Sequence, residues 1–157
     1  MATRYRLPDE PRPGALANVV VHPMWPLLAV MFAGPWLSWP WFVLNAWALG
    51  SPTRVRETLY ALGGFLGSAA LLGAIVVAVV TIDRGEDIVP YLMIGVTVWK
   101  LAVSYVLSEL QGRGFELYTW YGGVARNGFF VAVLGGMLLR PTIAGLVGAG
   151  LLQGVLL

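Results

Sequence analysis

Residues 88–110 read IVPYLMIGVTVWKLAVSYVLSEL, an apolar run with one basic residue, Lys100, near its middle. At about 1.5 Å rise per residue, a helix of this length matches a bilayer's hydrocarbon core of about 30 Å. A lysine at that depth is costly, and such residues face a bundle interior, a partner or a water-filled cavity. At about 100° per residue, Thr97, Lys100, Ser104 and Gln111 fall within about 60° of one another, with Ser108 at the margin. Tyr91, Met93 and Val98 lie opposite and suit lipid or apolar packing. The stretch reads as the polar spine of a small membrane protein. Lys100 has three readings: it snorkels to the nearer interface, pairs with an acid such as Glu109 or Glu57 of a neighbour, or lines a path for anions or protons. Glu109 itself falls on the far face of the helix.

The flanking sequence supplies further spans. Upstream, Asp83, Arg84, Glu86 and Asp87 form a short acidic turn, which makes the preceding span an antiparallel neighbour. That span, 58–82, is uncharged and rich in Leu, Ala, Val and Gly. Its small residues at i, i+4, Gly63 with Gly67 above all, allow another helix to approach closely. Arg54, Arg56 and Glu57 read as a charged loop before it. Downstream, 111–127 reads as a polar connection, with Gly122-Gly123 as a turn signal. The final run, 128–157, is too long for one untilted crossing and is interrupted at Arg140-Pro141, so it is kinked or folded back. Gly150 and Gly154 give it a small-residue face of its own.

The first apolar run, 24–49, is MWPLLAVMFAGPWLSWPWFVLNAWAL. Gly34, Pro35 and Pro40 predict a break near its centre, because proline removes a helix donor and disfavours helix at the residue before it. Trp36, Trp39 and Trp41 cluster at that centre, although tryptophan favours the membrane–water interface. Two arrangements remain open, one kinked span or a re-entrant hairpin. Residues 1–23 read as a surface arm, with His22 as a polar residue at headgroup level. Its apolar run is broken by Asn18 and His22, unlike a cleaved signal, so the N-terminus is expected to be retained.

Composition agrees with this class. Of 157 residues, 58% are hydrophobic and 11% charged, against about 25% charged in soluble domains. Mean hydropathy is +0.75, and the twenty glycines and ten prolines suit helices in lipid. The fold expected is an all-α integral membrane protein, one domain of about four transmembrane segments with the first kinked or re-entrant. The charge is +2 and scattered, with no basic run for nucleic acid. Arginine placement bears on the first run. A hairpin would gather Arg4, Arg6, Arg12, Arg54, Arg56, Arg113 and Arg126 on one face, whereas single crossings would divide them almost evenly.

No reactive constellation stands out. With no cysteine and one histidine, neither disulfides nor a conventional zinc site is available. No phosphate loop, dinucleotide fingerprint or nucleophile elbow occurs. Glu109, Glu116 and Asp87 sit near expected interfaces as solvated groups. No cofactor is expected, and no enzymatic activity. The partners expected are the lipid bilayer and copies of the chain or another membrane protein. Two functions remain in view. The first is a non-enzymatic, self-associating or complex-forming membrane component. The alternative is a small channel or transporter element using the Lys100 face, Asn45 and the broken 34–40 segment.

Residues 32–50, FAGPWLSWPWFVLNAWALG, carry a resemblance to small multi-pass bacterial membrane proteins of unknown function. Those proteins have a Gly-Gly-Pro-Leu-Ala-Gly-Gly segment followed by Asn-x-x-x-Leu-Gly. Gly34-Pro35 and Asn45 with Leu49-Gly50 match that pattern, and Leu110-Gln111 and Gly122-Gly123 are similarly placed. Ala33 replaces the first glycine, and Trp36, Ser38 and Trp39 stand where small residues would be. The resemblance implies a location in the bacterial inner membrane and brings no activity or catalytic residue.

Overall fold

The apolar run from 24 to 49 does not make one rod. In the computed structural model, which describes residues 14–82, 85–139, 141, 142 and 145, it forms α1 (Met24–Phe32) and α2 (Pro35–Leu49). Between them Gly34 has φ 100° and ψ 175°, a conformation open at low cost only to glycine. The Ala33 and Gly34 N–H groups both turn back to the Ala29 carbonyl, at 2.8 and 3.1 Å, and close α1. Pro35 starts α2, where a missing N–H costs nothing. Pro40 lies inside α2 with its ring exposed and does not end the helix. The break is therefore at residues 33–34 and does not extend to Pro40.

The two short helices fold back on each other. Ser38 Oγ donates to the Pro26 carbonyl at 2.7 Å, and Asn45 bonds both backbone groups of Val21. The hairpin's two ends, near residues 21 and 50, thus lie together. Gly50, at φ 64°, stops α2 with the paired bonds of a Schellman motif, Gly50 N–H to Trp47 O and Ser51 N–H to Ala46 O.

Two long helices follow, α3 (Arg54–Thr81) and α4 (Val89–Trp120). Both run beyond their expected limits. Arg54, Arg56 and Glu57 are the first turn of α3, where an acidic side chain favours the helix N-terminus. Residues 111–120, expected as a polar connection, are helical. Gln111 and Tyr118 continue α4's buried face at helical spacing, and this packing outweighs the low propensity of Gly112 and Gly114. The helix stops at Gly122, φ 83°, with a second Schellman pair to Tyr118 O and Thr119 O.

Helices α3 and α4 are antiparallel, since Ala61 clusters with Leu107 while Gly64 meets Val103 and Gly67 meets Trp99. The hairpin packs against both. Trp39, Phe42, Ala61 and Leu107 form the central core, and Val20, Ala48, Leu49 and Tyr118 form a second cluster at the hairpin's open end. The chain returns there from α4. Arg126 N–H donates to Val20 O at 2.7 Å, within an isolated parallel bridge between Val21 and Arg126.

Helix α5 (Phe129–Leu134) then packs on α1, with Gly128 against Trp25 and Gly136 against Phe32. The expected interruption at Pro141 is preceded by a π turn, Gly135–Leu139. Proline lacks the donor for the carbonyl four residues earlier, and a π turn there relieves the misfit. Arg140, Gly150 and Gly154, like the 1–13 part of the arm, lie outside the described residues.

Among the described residues the fold is all-helical, and α3 and α4 are long and apolar enough to cross a membrane. Only 17% and 22% of their most apolar windows are buried. Leu62, Leu66, Val77 and Val80 of α3 are among the large side chains left outside.

Candidate functional site

The polar residues of α4 converge on the hairpin. Ser104, Gln111 and Lys100 are buried, at 0%, 0% and 9% exposure. Trp39 Nε1 of α2 donates to Ser104 Oγ at 2.9 Å, and Ser104 Oγ donates to the Lys100 carbonyl at 2.9 Å. One level down, Gln111 Nε2 donates to Phe42 O at 2.6 Å while its Oε1 accepts from Asn45 Nδ2 at 2.9 Å. Asn45 also accepts from Val21 N–H at 2.9 Å and donates to Val21 O at 3.1 Å. At the open end, the Tyr118 hydroxyl lies 3.3 Å from Val124 O and 3.5 Å from Ala17 O. A seam of polar contacts thus ties α4 to α2, the chain before α1 and the return segment.

Asn45, Ser104 and Gln111 are brought together as one network. Lys100 belongs to its upper end by register. Trp39–Ser104 and Asn45–Gln111 are separated by 65 and 66 residues along the chain, and the same offset sets Lys100 level with Pro35 at the hairpin tip. Thr97, one turn further, is exposed and bonds its own helix at Met93 O. The hairpin does not reach it.

The glycines divide differently from their spacing. The buried face of α3 runs through Glu57, Ala61, Gly64, Ser68 and Leu72. Gly64 and Gly67 receive Trp39, Val103 and Trp99 from within the chain, whereas a Cβ at Gly63 would meet open space. His22 is exposed, its Nδ1 accepting from Met24 N–H at 3.1 Å and its ring edge-on to Phe115.

Glu57 is the residue that sequence reasoning misplaced furthest. Read as a loop acid, it is fully buried, with Oε1 accepting from Ser51 Oγ at 2.8 Å and Thr53 Oγ1 at 2.7 Å. Its Oε2 has no hydrogen-bond partner. The signal was present in its helical spacing from Ala61, Gly64 and Ser68. Trp39, one of three tryptophans clustered at the centre of the first apolar run, is the largest side chain of the central core.

Beside this corner, an open cleft of about 530 Å³ lies between the start of α3 and the last turns of α4. Arg56, Arg113, Glu109, Tyr105, Ser51 and Thr53 supply its polar lining. Among the described residues, no three His, Cys, Asp or Glu side chains gather as a metal ion requires. Comparison with known proteins finds no matching family model, no matching curated protein and no matching solved structure.

Proposed function

We propose that the chain is a non-enzymatic integral membrane protein of the bacterial inner membrane. In this reading α3 and α4 cross the bilayer while the α1–α2 hairpin enters and leaves on one side. The observation that carries the reading is the grip of Asn45 on Val21 and Gln111, which holds the hairpin's two ends together beside α4. Supporting it, Arg54, Arg56, Arg113 and Arg126 all lie toward that open end, the side the positive-inside rule assigns to the cytoplasm. Broken backbone at membrane depth must be covered by protein, and α3, α4 and α5 cover the hairpin. The protein acts by association, with copies of itself or another membrane protein, through the apolar faces of α3 and α4 that its own chain leaves bare.

Topology tests the reading directly, because the chain has no native cysteine. Ser51 is buried against Glu57, so single cysteines belong at exposed Asn18, Pro52 and Asp87. A membrane-impermeant thiol reagent should label Asn18→Cys and Pro52→Cys from one side of the membrane and Asp87→Cys from the other. Labelling of Asn18 and Pro52 from opposite sides would sink the re-entrant hairpin.

The burial of Lys100 beside the hairpin tip favours a second reading, a small channel or transporter element. Proteoliposomes separate the two. An association component gives no proton or anion flux that depends on Lys100, whereas flux abolished by Lys100→Ala would establish the transport reading.

A further inference from the structure

We propose that the cleft between the start of α3 and the end of α4 binds the phosphodiester group of an anionic membrane phospholipid. The proposal rests on the membrane reading above and gives the arginine-rich face a specific ligand.

The geometry begins with two like charges. The contacts Ala61–Leu107, Gly64–Val103 and Gly67–Trp99 fix the antiparallel register, and extending it one turn sets Arg56 opposite residues 112–113. Arg56 and Arg113 both line the cleft, from opposite walls. No carboxylate among the described residues forms an ion pair with either. Two guanidinium groups across a cleft repel unless an anion lies between them, and a phosphate accepts from each in the planar, two-pronged geometry that arginine offers. Arg56 is steadied from behind, its Nη2 donating to the Tyr60 hydroxyl at 3.2 Å with the guanidinium 5.4 Å from that ring. Its other donors remain for a ligand.

The surroundings suit a lipid better than a free ion. The α3 N-terminus opens at Pro52 and Thr53 on the rim, but its first turn already holds Glu57, bonded by Ser51 and Thr53, so the two arginines rather than the helix end attract the anion. The floor continues along α4 through Leu110, Val106 and the exposed ring of Tyr105, an apolar track for an acyl chain. Glu109 stands on this track one turn from Arg113 and opposes an anion. Arg56 and Arg113 are therefore the groups that hold the phosphate, and Glu109 weakens that hold.

The test uses the full chain purified in neutral detergent. Binding is measured by lipid-dependent thermal stabilisation and native mass spectrometry with phosphatidylglycerol, phosphatidylcholine of the same acyl chains, and inorganic phosphate. Phosphatidylglycerol should bind best. Arg56→Gln with Arg113→Gln should weaken it roughly tenfold or more, the loss expected when hydrogen bonds to a charged group are removed, while the lipid-free melting temperature stays unchanged. Glu109→Gln should strengthen it, which a variant that merely misfolds cannot do. Equal affinity for the two lipids overturns the proposal, as does a preference that survives the double substitution. Stabilisation by inorganic phosphate equal to that by phosphatidylglycerol overturns the lipid as ligand. A protein that stays folded and dispersed without detergent overturns the membrane reading itself. A detergent-dependent protein without lipid preference overturns the cleft alone.

Discussion

Asn45→Ala is the sharpest perturbation of the hairpin. The side chain makes three hydrogen bonds, of 2.9, 3.1 and 2.9 Å, to Val21 N–H, Val21 O and Gln111 Oε1. Asn45 is 1% exposed, Val21 5% and Gln111 0%, so water does not readily replace the lost partner. At about 1 kcal/mol net per bond the loss is about 3 kcal/mol. If the site behaves like helix contacts in lipid, where such bonds average about 0.6 kcal/mol, the loss is nearer 2 kcal/mol. The neighbouring Leu44 is 59% exposed, and Leu44→Ala should change stability by no more than about 0.5 kcal/mol. The assay is unfolding in mixed micelles followed by tryptophan fluorescence, with Gln111→Ala and the double variant completing a thermodynamic cycle. Coupling between Asn45 and Gln111 should be about 1 kcal/mol or slightly less, since one bond joins them directly. Loss of less than 0.5 kcal/mol in Asn45→Ala (roughly the scatter of neutral surface changes), or equal losses at Leu44 and Asn45, would refute the idea that this grip holds the hairpin.

Three glycine substitutions have further expected outcomes. Gly67→Leu drives a side chain into Trp99 and should destabilise by about 1–3 kcal/mol or more, whereas Gly63→Leu meets open space and should leave stability equal or higher. A smaller oligomer in Gly63→Leu alone, read by light scattering in detergent, would place self-association on that outward face. Gly34→Ala forces a non-glycine residue into φ 100° and should cost about 1–3 kcal/mol. A thermal midpoint unchanged from wild type would show that the hairpin turn relaxes freely.

Helical character, the two long apolar helices and their antiparallel pairing were legible because each rests on a local pattern. Apolar length, a short charged turn and the 3.6-residue period are all written in consecutive residues. The grouping of Lys100, Ser104 and Gln111 on one face was legible for the same reason. What Asn45 does was not, because its partners lie 24 and 66 residues away and no spacing rule connects them. Helix limits failed where packing overrode local signals. The polar run from residue 111 on suggested a connection, yet Gln111 and Tyr118 are held on one buried face of α4. Glu57 was placed in a charged loop because its charge was weighed before its position on the buried face of α3. Gly63 and Gly67 looked equivalent at i, i+4, but only Gly67 faces Trp99.

The spacing of the seam argues for what it does. Ser104, Gln111 and Tyr118 recur every seven residues, which keeps them on one narrow stripe of α4, drifting by only about 20° per repeat. Each meets the folded-back part of the chain at a different height: Trp39 at Ser104, Phe42 and Asn45 at Gln111, and the Ala17 and Val124 carbonyls at Tyr118. In the proposed membrane setting, a short hairpin among lipid tails gains little from apolar contact, because the tails are as apolar as the helix faces. Polar anchors at several heights therefore suit this arrangement. A conducting path would need polar groups to continue beyond the hairpin tip. Yet Thr97 and Thr81 are exposed and bonded to their own helices, and the buried faces of α3 and α4 end at Leu72 and Val96 on that side. Among the described residues the buried polar seam stops where the hairpin stops, as anchors for the hairpin should and as the route across a membrane in the transport reading should not.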